Sequence, residues 1–229
     1  MTLTLTGVGR EYGGLRAIDD VTFEVRSGER VGVIGPNGAG KTTLFRVIAG
    51  GERASSGNLR FNDRDISRSP ARRRARMGIG RTFQITALFT TLTVAENLRL
   101  AARGRPLDEV VERFGLYDWL DTEVADLGYG QQRMVELAVT FATGASVLLL
   151  DEPAAGLGAA ERVTVSDAIR DLPDDVTVLL IEHDMDLVLG LVDRVLCLSN
   201  GKLVADAPAG EIRSHAAVRE VYLGSGDDE

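Results

Sequence analysis

Residues 35–43 read GPNGAGKTT, a glycine-rich stretch that matches the pattern G-x-x-x-x-G-K-[ST]. The apolar run RVGVIG at 30–35 precedes it and KTTLFRVIA at 41–49 follows, which predicts a strand, a turn and then a helix closed by Gly50. Glycines in such a turn let backbone N–H groups converge on phosphate oxygens, and a helix N-terminus favours an anion. A flexible turn without a ligand fits less well, because Lys41 is one of very few lysines in the chain. The stretch therefore predicts a phosphate-binding loop.

The composition describes a folded globular chain with little attraction for polyanions. Hydrophobic residues make up 44% of the 229 residues, which is enough for a sizeable core. The net charge of −8 argues against electrostatic binding of nucleic acid. We interpret the arginine-rich run at 68–78 as a short solvated helix face. Cys197 is the only cysteine and fits a reducing compartment. No apolar run approaches the roughly 20 residues of a membrane span, so we expect a chain that is soluble when isolated.

Three continuous apolar runs predict a parallel sheet that is buried on both faces. They are VGVI at 31–34, VLLL at 147–150 and TVLLI at 177–181, and none alternates with polar residues as a half-buried strand does. Alternating segments within 2–26 and at 57–63 predict antiparallel strands instead. Ligands of parallel sheets bind at the carboxyl ends of the strands. Each apolar run ends in glycine or polar residues, so we expect the chemistry to collect there.

Ionisable side chains follow the second and third of these runs. Beside a phosphate loop, Asp151 suits a Mg²⁺ site, and Glu152 suits an acceptor that polarises a water attacking a γ-phosphate. Lys41 is expected to reach the β- and γ-phosphates, and Thr42 to bind Mg²⁺ through its hydroxyl. His183 follows the third run; a lone histidine is often structural, but its place at a strand end favours a functional role.

Mostly helical patterns fill residues 87–143 and contain a second glycine-rich turn. Residues 126–138 read DLGYGQQRMVELA, and taken alone this is an ordinary helix N-terminus in which glycine allows a tight bend. Gln84, within RTFQ, is a polar residue just before the helical part. Tyr12, within REYGG, is an aromatic residue that either stacks on an adenine or packs on its own loop.

In this order the motifs resemble the nucleotide-binding domain of ABC transporters over nearly the whole chain. The matching segments are an aromatic A-loop (Tyr12), the Walker A loop (Gly35, Pro36, Asn37, Gly38, Ala39, Gly40, Lys41, Thr42 and Thr43), the Q-loop (Gln84), the signature (127–131, with Gly128, Gly130 and Gln131), Walker B (Val147–Asp151) with Glu152, the D-loop (155–158) and the switch His183. The resemblance implies that ATP and Mg²⁺ are the cofactors. It implies Thr42, Gln84 and Asp151 as metal ligands. It implies a catalytic set of Glu152, His183, Gln84 and Lys41.

The resemblance also implies the fold and its division. The fold is α/β, with a P-loop NTPase core of the RecA type around a mainly parallel sheet, an antiparallel β subdomain and a helical subdomain. Residues 1–229 form a single ABC ATPase domain. Residues 1–86 and 144–229 are expected to form the nucleotide-binding core with the N-terminal β subdomain, and 87–143 the helical subdomain that carries the signature.

In the family, two such domains pair head to tail, and each signature covers the γ-phosphate held by the other subunit's Walker A loop. Three positions depart from the family pattern: Gly128 stands for serine, Tyr129 for the first central glycine, and Gly158 for the aspartate that ends the D-loop. The stretches RTFQ and LGYGQQ look like the branched-chain amino-acid importer ATPases, in which Leu-Ala-Tyr-Gly-Gln is frequent. Tyr129 is then a trait of that subgroup.

The expected function is ATP binding and hydrolysis that powers a membrane transporter, an importer of branched-chain amino acids or a similar small polar solute. Alternatives are a urea importer, a lipopolysaccharide-type exporter, a soluble ABC ATPase of DNA repair or translation, and, more distantly, a P-loop kinase. The implied partners are transmembrane permease subunits that dock between Gln84 and 88–98, a second ATPase subunit in a homo- or heterodimer, and an extracytoplasmic solute-binding protein, with no nucleic acid. The implied location is the cytoplasmic face of the membrane, as a peripheral protein.

Overall fold

The computed structural model describes residues 2–82 and 88–223. The strands are β1 Thr2–Tyr12, β2 Leu15–Arg26, β3 Arg30–Ile34, β4 Ser56–Phe61, β5 Arg64–Asp65, β6 Ile79–Arg81, β7 Val147–Asp151, β8 Thr177–Ile181, β9 Arg194–Ser199 and β10 Lys202–Pro208. The α-helices are α1 Lys41–Ala49, α2 Ala71–Arg76, α3 Val94–Ala102, α4 Asp108–Arg113, α5 Tyr129–Ala142, α6 Ala159–Arg170, α7 Met185–Leu189 and α8 Ala216–Leu223. Short 3₁₀ turns cover Tyr117–Trp119, Val124–Asp126 and Ile212–Ser214.

The central sheet has the strand order β10-β9-β3-β8-β7-β6. The strands from β9 to β6 pair in parallel, and β10 pairs antiparallel at one edge. The three apolar runs form β3, β7 and β8. Leu149 and Leu179 contribute to the hydrophobic core on one face of the sheet, whereas Leu148 and Leu180 contribute to the core on the other face. The prediction of a mainly parallel sheet buried on both faces is therefore confirmed.

An antiparallel sheet with the order β2-β1-β4-β5 covers one face of the central sheet. Its strands carry alternating buried and exposed residues, as the second half of β2, residues 21–26, shows. Phe23 and Phe61 from this sheet share a buried cluster with Phe45 of α1 and with Val33 of β3. The helix that follows the glycine-rich loop is thus held between two sheets, which fixes the position of its N-terminus. The antiparallel strands predicted within 2–26 and at 57–63 are confirmed.

The helices α3, α4 and α5 lie between β6 and β7 in the chain and pack on the opposite face of the central sheet. Leu98 of α3, Phe114 at the end of α4 and Leu137 of α5 belong to the same buried cluster as Leu148. The ring of Phe114 meets that of Phe141 edge to face, with centroids 5.0 Å apart. This packing fixes α5, whose first turn contains the glycines of the second motif.

The interpretation of the arginine-rich run at 68–78 as a solvated helix face is wrong for one residue, Arg74. Arg72, Arg73 and Arg76 are exposed, but Arg74 is only 1% exposed. Its guanidinium donates to the carbonyl oxygens of Val47, Ile48, Ile66, Ser67 and Ser69, at 2.6 to 3.3 Å. Burial lowers the pKa of Arg74 to about 10. This buried charge is tolerated because the guanidinium donates to carbonyl groups at the carboxyl end of α1, where the helix dipole favours a cation.

Candidate active site

The glycine-rich loop joins β3 to α1 and has a backbone that only glycine adopts readily. Gly35 and Gly40 have φ values of 143° and 100°. A Cβ atom at Gly35 would lie 2.1 Å from the carbonyl oxygen of Leu198, and one at Gly40 would lie 2.3 Å from that of Ala17. The N-cap residue Gly40 has no side chain to cap the first turn of α1, which leaves the N–H groups of that turn, as far as the described residues show, available to a ligand. The backbone conformation of the loop is therefore set by its glycines, and the loop opens towards a ligand at the N-terminus of α1.

Lys41 begins α1 and folds back over the loop. Its Nζ donates to the carbonyl oxygens of Gly35 at 2.6 Å and Pro36 at 2.9 Å, and the side chain is buried. Burial lowers the pKa of Lys41, while the charges of Glu152 and Asp151 act in the opposite direction. The lysine is thus held at the mouth of the loop, next to the acidic end of β7. Thr42 and Thr43 follow it in the first turn and are partly buried, whereas Asn37 and Gly38 are exposed.

Asp151, the last residue of β7, is completely buried. Its Oδ2 accepts from Arg81 Nη2 at 3.2 Å, and its backbone N–H donates to Thr82 Oγ1 at 3.0 Å. Among the described residues, its Oδ1 is buried without a hydrogen-bond partner. Burial raises the pKa of Asp151, and Arg81 opposes that shift. A buried carboxylate oxygen without a partner calls for a further cation or donor.

The unpaired Oδ1 of Asp151 is the feature of this site that suits Mg²⁺. No three histidine, cysteine, aspartate or glutamate side chains converge on a metal-sized position in residues 2–82 and 88–223. Mg²⁺ bound with nucleotide keeps several waters and takes phosphate oxygens, so it needs only one or two protein ligands. Asp151 and the hydroxyl of Thr42 at the loop suit that requirement.

Glu152 and His183 meet at the carboxyl ends of β7 and β8. His183 Nε2 lies 2.6 Å from Glu152 Oε1, and both side chains are partly exposed. Glu152 has a φ of 49°, a left-handed conformation that is uncommon for a residue with a side chain. The carboxylate of Glu182 accepts from the N–H of Ala154 at 2.9 Å and of His183 at 3.2 Å. The side chains of Glu152 and His183 are therefore accessible from solvent, while Glu182 holds the backbone of His183.

The second glycine-rich motif forms the N-terminus of α5. Gly128 precedes the helix in an extended conformation, and its N–H donates to Gln131 Oε1 at 2.9 Å. The amide of Gln132 donates to the carbonyl oxygens of Val124 and Leu127 at 3.1 and 3.0 Å. Tyr129 is 65% exposed. No hydrogen bond in the described part of the chain joins these residues to the loop at 35–43.

The same motif touches the segment that follows Glu152. A Cβ atom at Gly130 would lie 2.1 Å from Glu161 Oε1, and one at Gly156 would lie 2.7 Å from Cε1 of Tyr129. Glu161 also accepts from the N–H of Gly158 at 2.8 Å. Gly130 thus lies against the carboxylate of Glu161, and Gly156, with a φ of 74°, lies against the ring of Tyr129, so the signature and the D-loop form one packed unit within a subunit.

Tyr12 contacts residues outside this cluster. The ring of Tyr12 lies under the guanidinium of Arg10, 4.3 Å from its centroid, and its hydroxyl donates to Glu52. Glu52 also forms an ion pair with Arg10 at 3.2 Å. A contact between Tyr12 and an adenine stays a prediction. Gln84 lies outside the described residues, and its role stays a prediction as well.

Sequence reasoning missed the residues that support the site. Arg133 and Glu136 form a buried ion pair at 2.7 Å under the end of β7, and Arg81 and Glu182 contact the site directly. A signal was present for the first pair: opposite charges three residues apart within an otherwise apolar helix face. For Arg81 and Glu182, nothing local distinguished them from solvated charges at strand ends.

The family model described as ABC transporter matches residues 18–155. The chain is 37% identical, over 97% of both chains, to the high-affinity branched-chain amino acid transport ATP-binding protein LivG of Salmonella typhimurium. It is 35% identical to the corresponding protein BraF of Pseudomonas aeruginosa. It is 36% identical to the lipopolysaccharide export system ATP-binding protein LptB of Escherichia coli, again over 97% of both chains.

Solved structures agree with this similarity. An ATP-binding cassette of an ABC transporter in its ADP conformation superposes with a TM-score of 0.86 and 27% identity, covering 98% of this chain and 99% of that one. A nucleotide-free ATP-binding cassette gives a TM-score of 0.84 at the same identity. In residues 2–82 and 88–223, no helix combines the length and apolar character that crossing a bilayer requires. The chain belongs to the ABC transporter family, as one of its ATP-binding, ATP-hydrolysing proteins.

Proposed function

We propose that this chain binds ATP between the loop at 35–43 and the ends of β7 and β8, and that hydrolysis there powers import of a small polar solute. The observation that carries the proposal is the hydrogen bond between Glu152 and His183, set beside Lys41 and the open N-terminus of α1. Lys41 and the N–H groups of the first turn bind the phosphates. Tyr12 is the candidate for the adenine contact.

In the hydrolytic step, Glu152 accepts a hydrogen bond from the attacking water and aligns it with the γ-phosphate. His183 orients the carboxylate of Glu152. Thr42, Gln84 and Asp151 would hold Mg²⁺, which supplies charge neutralisation on the phosphate oxygens. The products are ADP and inorganic phosphate.

A second ATPase subunit completes each site in this proposal. The first turn of α5, with Gly128, Gly130 and Gln131, presents backbone N–H groups at a helix N-terminus, and Tyr129 is exposed beside it. Such a terminus suits the γ-phosphate of a nucleotide held by another copy or by a related subunit. Closure of the pair around two ATP molecules and reopening after hydrolysis would drive the transporter.

Permease subunits would dock beside the helical part of the chain. A groove of about 540 Å³ lies between β6, α2, α3 and α5, lined in part by Gly80, Leu88, Leu100 and Val139. Leu100 is 55% exposed there, and Phe89 nearby is 60% exposed. An apolar groove of this kind accepts a helix of another protein. We assign residues 87–143 to a helical subdomain with this docking role, and the remainder to the nucleotide-binding core.

The solute class rests on relatives. LivG and BraF are described as branched-chain amino acid transport proteins, which favours such an amino acid, delivered by an extracytoplasmic solute-binding protein. The near-equal identity to LptB keeps lipopolysaccharide export as the second candidate. In either system the chain would lie at the cytoplasmic face of the membrane, bound to its permease.

One substitution tests the hydrolytic proposal. Glu152→Gln should keep ATP binding, abolish phosphate release and trap an ATP-bound pair that elutes earlier in size-exclusion chromatography. Unchanged turnover would contradict the role of Glu152. The solute is tested by purifying the chain with its membrane partners and measuring ATP-dependent uptake of labelled leucine into liposomes, with lipopolysaccharide release as the competing outcome.

A further inference from the structure

Arg133 connects the signature helix α5 to the acidic end of β7. Its Nη2 donates to the carbonyl oxygens of Asp151 at 3.1 Å and Glu152 at 2.9 Å. Its Nη1 donates to Glu136 at 2.7 Å, and the two charged residues are only 8% and 4% exposed. Charge-assisted hydrogen bonds in so dry a place are strong and directional. The backbone of Glu152 is therefore fastened to α5.

The backbone of Glu152 is one that needs such support. A residue with a side chain at a φ of 49° keeps that conformation only when its surroundings impose it. The N–H of Glu152 donates to Ile181 of β8 at 2.9 Å, and its carbonyl accepts from Arg133. The two peptide groups that flank its Cα atom are thus held from opposite sides. Because they set the direction of the side chain, they aim the carboxylate at His183.

The chain after Glu152 rests on the same helix. The ring of Tyr129 packs on Gly156, and the carboxylate of Glu161 lies between Gly130 and Gly158. A displacement of α5 therefore moves the D-loop through the contacts at Gly156 and Gly158. It also moves the carbonyl group of Glu152 through Arg133. These contacts join α5 to the residues on both sides of the catalytic position.

We propose that Arg133 is a positioning residue for hydrolysis. It couples the position of its subunit's signature to the position of Glu152 in the same subunit. The inference rests on the proposed function, in which each signature serves the nucleotide held by the other subunit. When the signature meets the neighbouring ATP, α5 is fixed, and Arg133 then fixes Glu152 over the subunit's own ATP. One buried side chain thereby links the two sites of a pair.

Mixed pairs separate this role from mere support of the signature. Two differently tagged full-length copies are combined, and mixed pairs are isolated through both tags. In the first arrangement, Arg133→Met is on the copy with intact Glu152, and the other copy carries Glu152→Gln. In the second, Arg133→Met and Glu152→Gln are on the same copy. The reference pair carries Glu152→Gln on one copy and no other change.

The proposal expects the first arrangement to lose about tenfold or more in kcat, because a slightly misplaced catalytic group costs that much. Its KM for ATP should stay within about twofold of the reference, and the second arrangement should match the reference. Arg133→Lys in the first arrangement should recover part of the loss. Equal losses in both arrangements, or a greater loss in the second, would overturn the proposal, since Arg133 would then serve the signature.

Arg113 offers a matched control. It also donates to backbone carbonyl oxygens, those of Ala168 and Asp171, and pairs with Glu109, but it does so at the far end of α6. Arg113→Met should match the reference in both arrangements.

A measurement on the single chain keeps the test independent of pairing. Amide hydrogen exchange over residues 152–157 should be faster in Arg133→Met and unchanged in Arg113→Met. Unchanged exchange in Arg133→Met would overturn the inference. Absence of ATP turnover in pairs of two unmodified copies would instead contradict the proposed function, and the exchange comparison would still decide whether Arg133 holds Glu152.

Discussion

His183 Nε2 lies 2.6 Å from Glu152 Oε1, although the two residues are 31 positions apart in the chain. The parallel register that pairs Asp151 with Ile181 brings the ends of β7 and β8 side by side, so the residues that follow them meet. Glu182 holds the N–H of His183 from behind. The orientation of the carboxylate that faces the substrate therefore depends on a histidine from the neighbouring strand.

Replacing His183 by alanine removes this partner and leaves the phosphate loop untouched. We expect kcat for ATP hydrolysis to fall about a hundredfold, as for loss of a group that orients a general base. The affinity for ATP should change little. Phosphate release and binding of a fluorescent ATP analogue measure the two quantities. His183→Gln, which keeps a hydrogen-bond donor, should retain more activity than His183→Ala, and equal loss in both would argue against an orienting role.

Gly130→Ala should disturb the signature because its Cβ would lie 2.1 Å from Glu161 Oε1. Either α5 shifts or Glu161 releases the N–H of Gly158. We expect ATP-dependent pairing, measured by sedimentation in the Glu152→Gln background, to weaken about tenfold, equivalent to roughly 1.4 kcal/mol.

Two further variants sharpen this prediction. Adding Glu161→Ala to Gly130→Ala removes the obstructing carboxylate and should restore part of the pairing. Gly128→Ser is the control, because its Cβ would meet no atom closer than 3.5 Å and serine is a favourable N-cap. Pairing that is as strong in Gly130→Ala as in Gly128→Ser would show that the contact with Glu161 does not matter.

Arg74→Met should destabilise the fold. The guanidinium serves five carbonyl groups between α1 and α2, and its loss leaves several of them buried without a donor. We expect the free energy of unfolding to drop by about 3 kcal/mol. Urea denaturation measures it, with the exposed Arg72→Met as the control that should stay within about 0.5 kcal/mol of the parent chain. A similar midpoint for both variants would contradict the capping role.

Removal of Mg²⁺ should affect ATP binding through Asp151. In the parent chain, ATP should bind more tightly with Mg²⁺ than in excess EDTA. Asp151→Asn keeps the shape of the side chain and an acceptor for Arg81, but lowers the charge next to the unpaired Oδ1 position. We expect the Mg²⁺-dependent gain in affinity to shrink by about tenfold. If titration with a fluorescent ATP analogue shows the same gain in both proteins, Asp151 does not support the metal.

Alkaline pH should destabilise the chain through Cys197. Burial beneath the phosphate loop raises the pKa of this thiol from an ordinary 9.0 to about 11. A raised pKa in the folded state means that the stabilising contribution is complete below about pH 9 and is lost as the pH rises towards 11. The free energy of unfolding should fall across this window, and fall less steeply in Cys197→Ala. Parallel slopes in the two proteins would contradict this assignment.

The loop at 35–43, the buried strands β3, β7 and β8, and the positions of Asp151, Glu152 and His183 at strand ends are all predictable from the amino-acid sequence. These features are local: glycine spacing reports backbone conformation, and an apolar run without alternation reports burial on both faces. Local order along the chain was sufficient to recognise them. The parallel arrangement then gathers strand ends at one edge without further information.

The contacts between groups that are distant in the chain become visible only once the elements are packed together. The tertiary structure buries Arg74 against the end of α1, places Glu161 against Gly130, and fastens Glu152 to α5 through Arg133. In the sequence, a solvated surface explains Arg74 and Glu161 equally well, and Arg133 is distinguished only by its spacing from Glu136 on an apolar helix face. Burial of a charge depends on partners contributed by other elements, and those partners are fixed by packing and not by spacing along the chain.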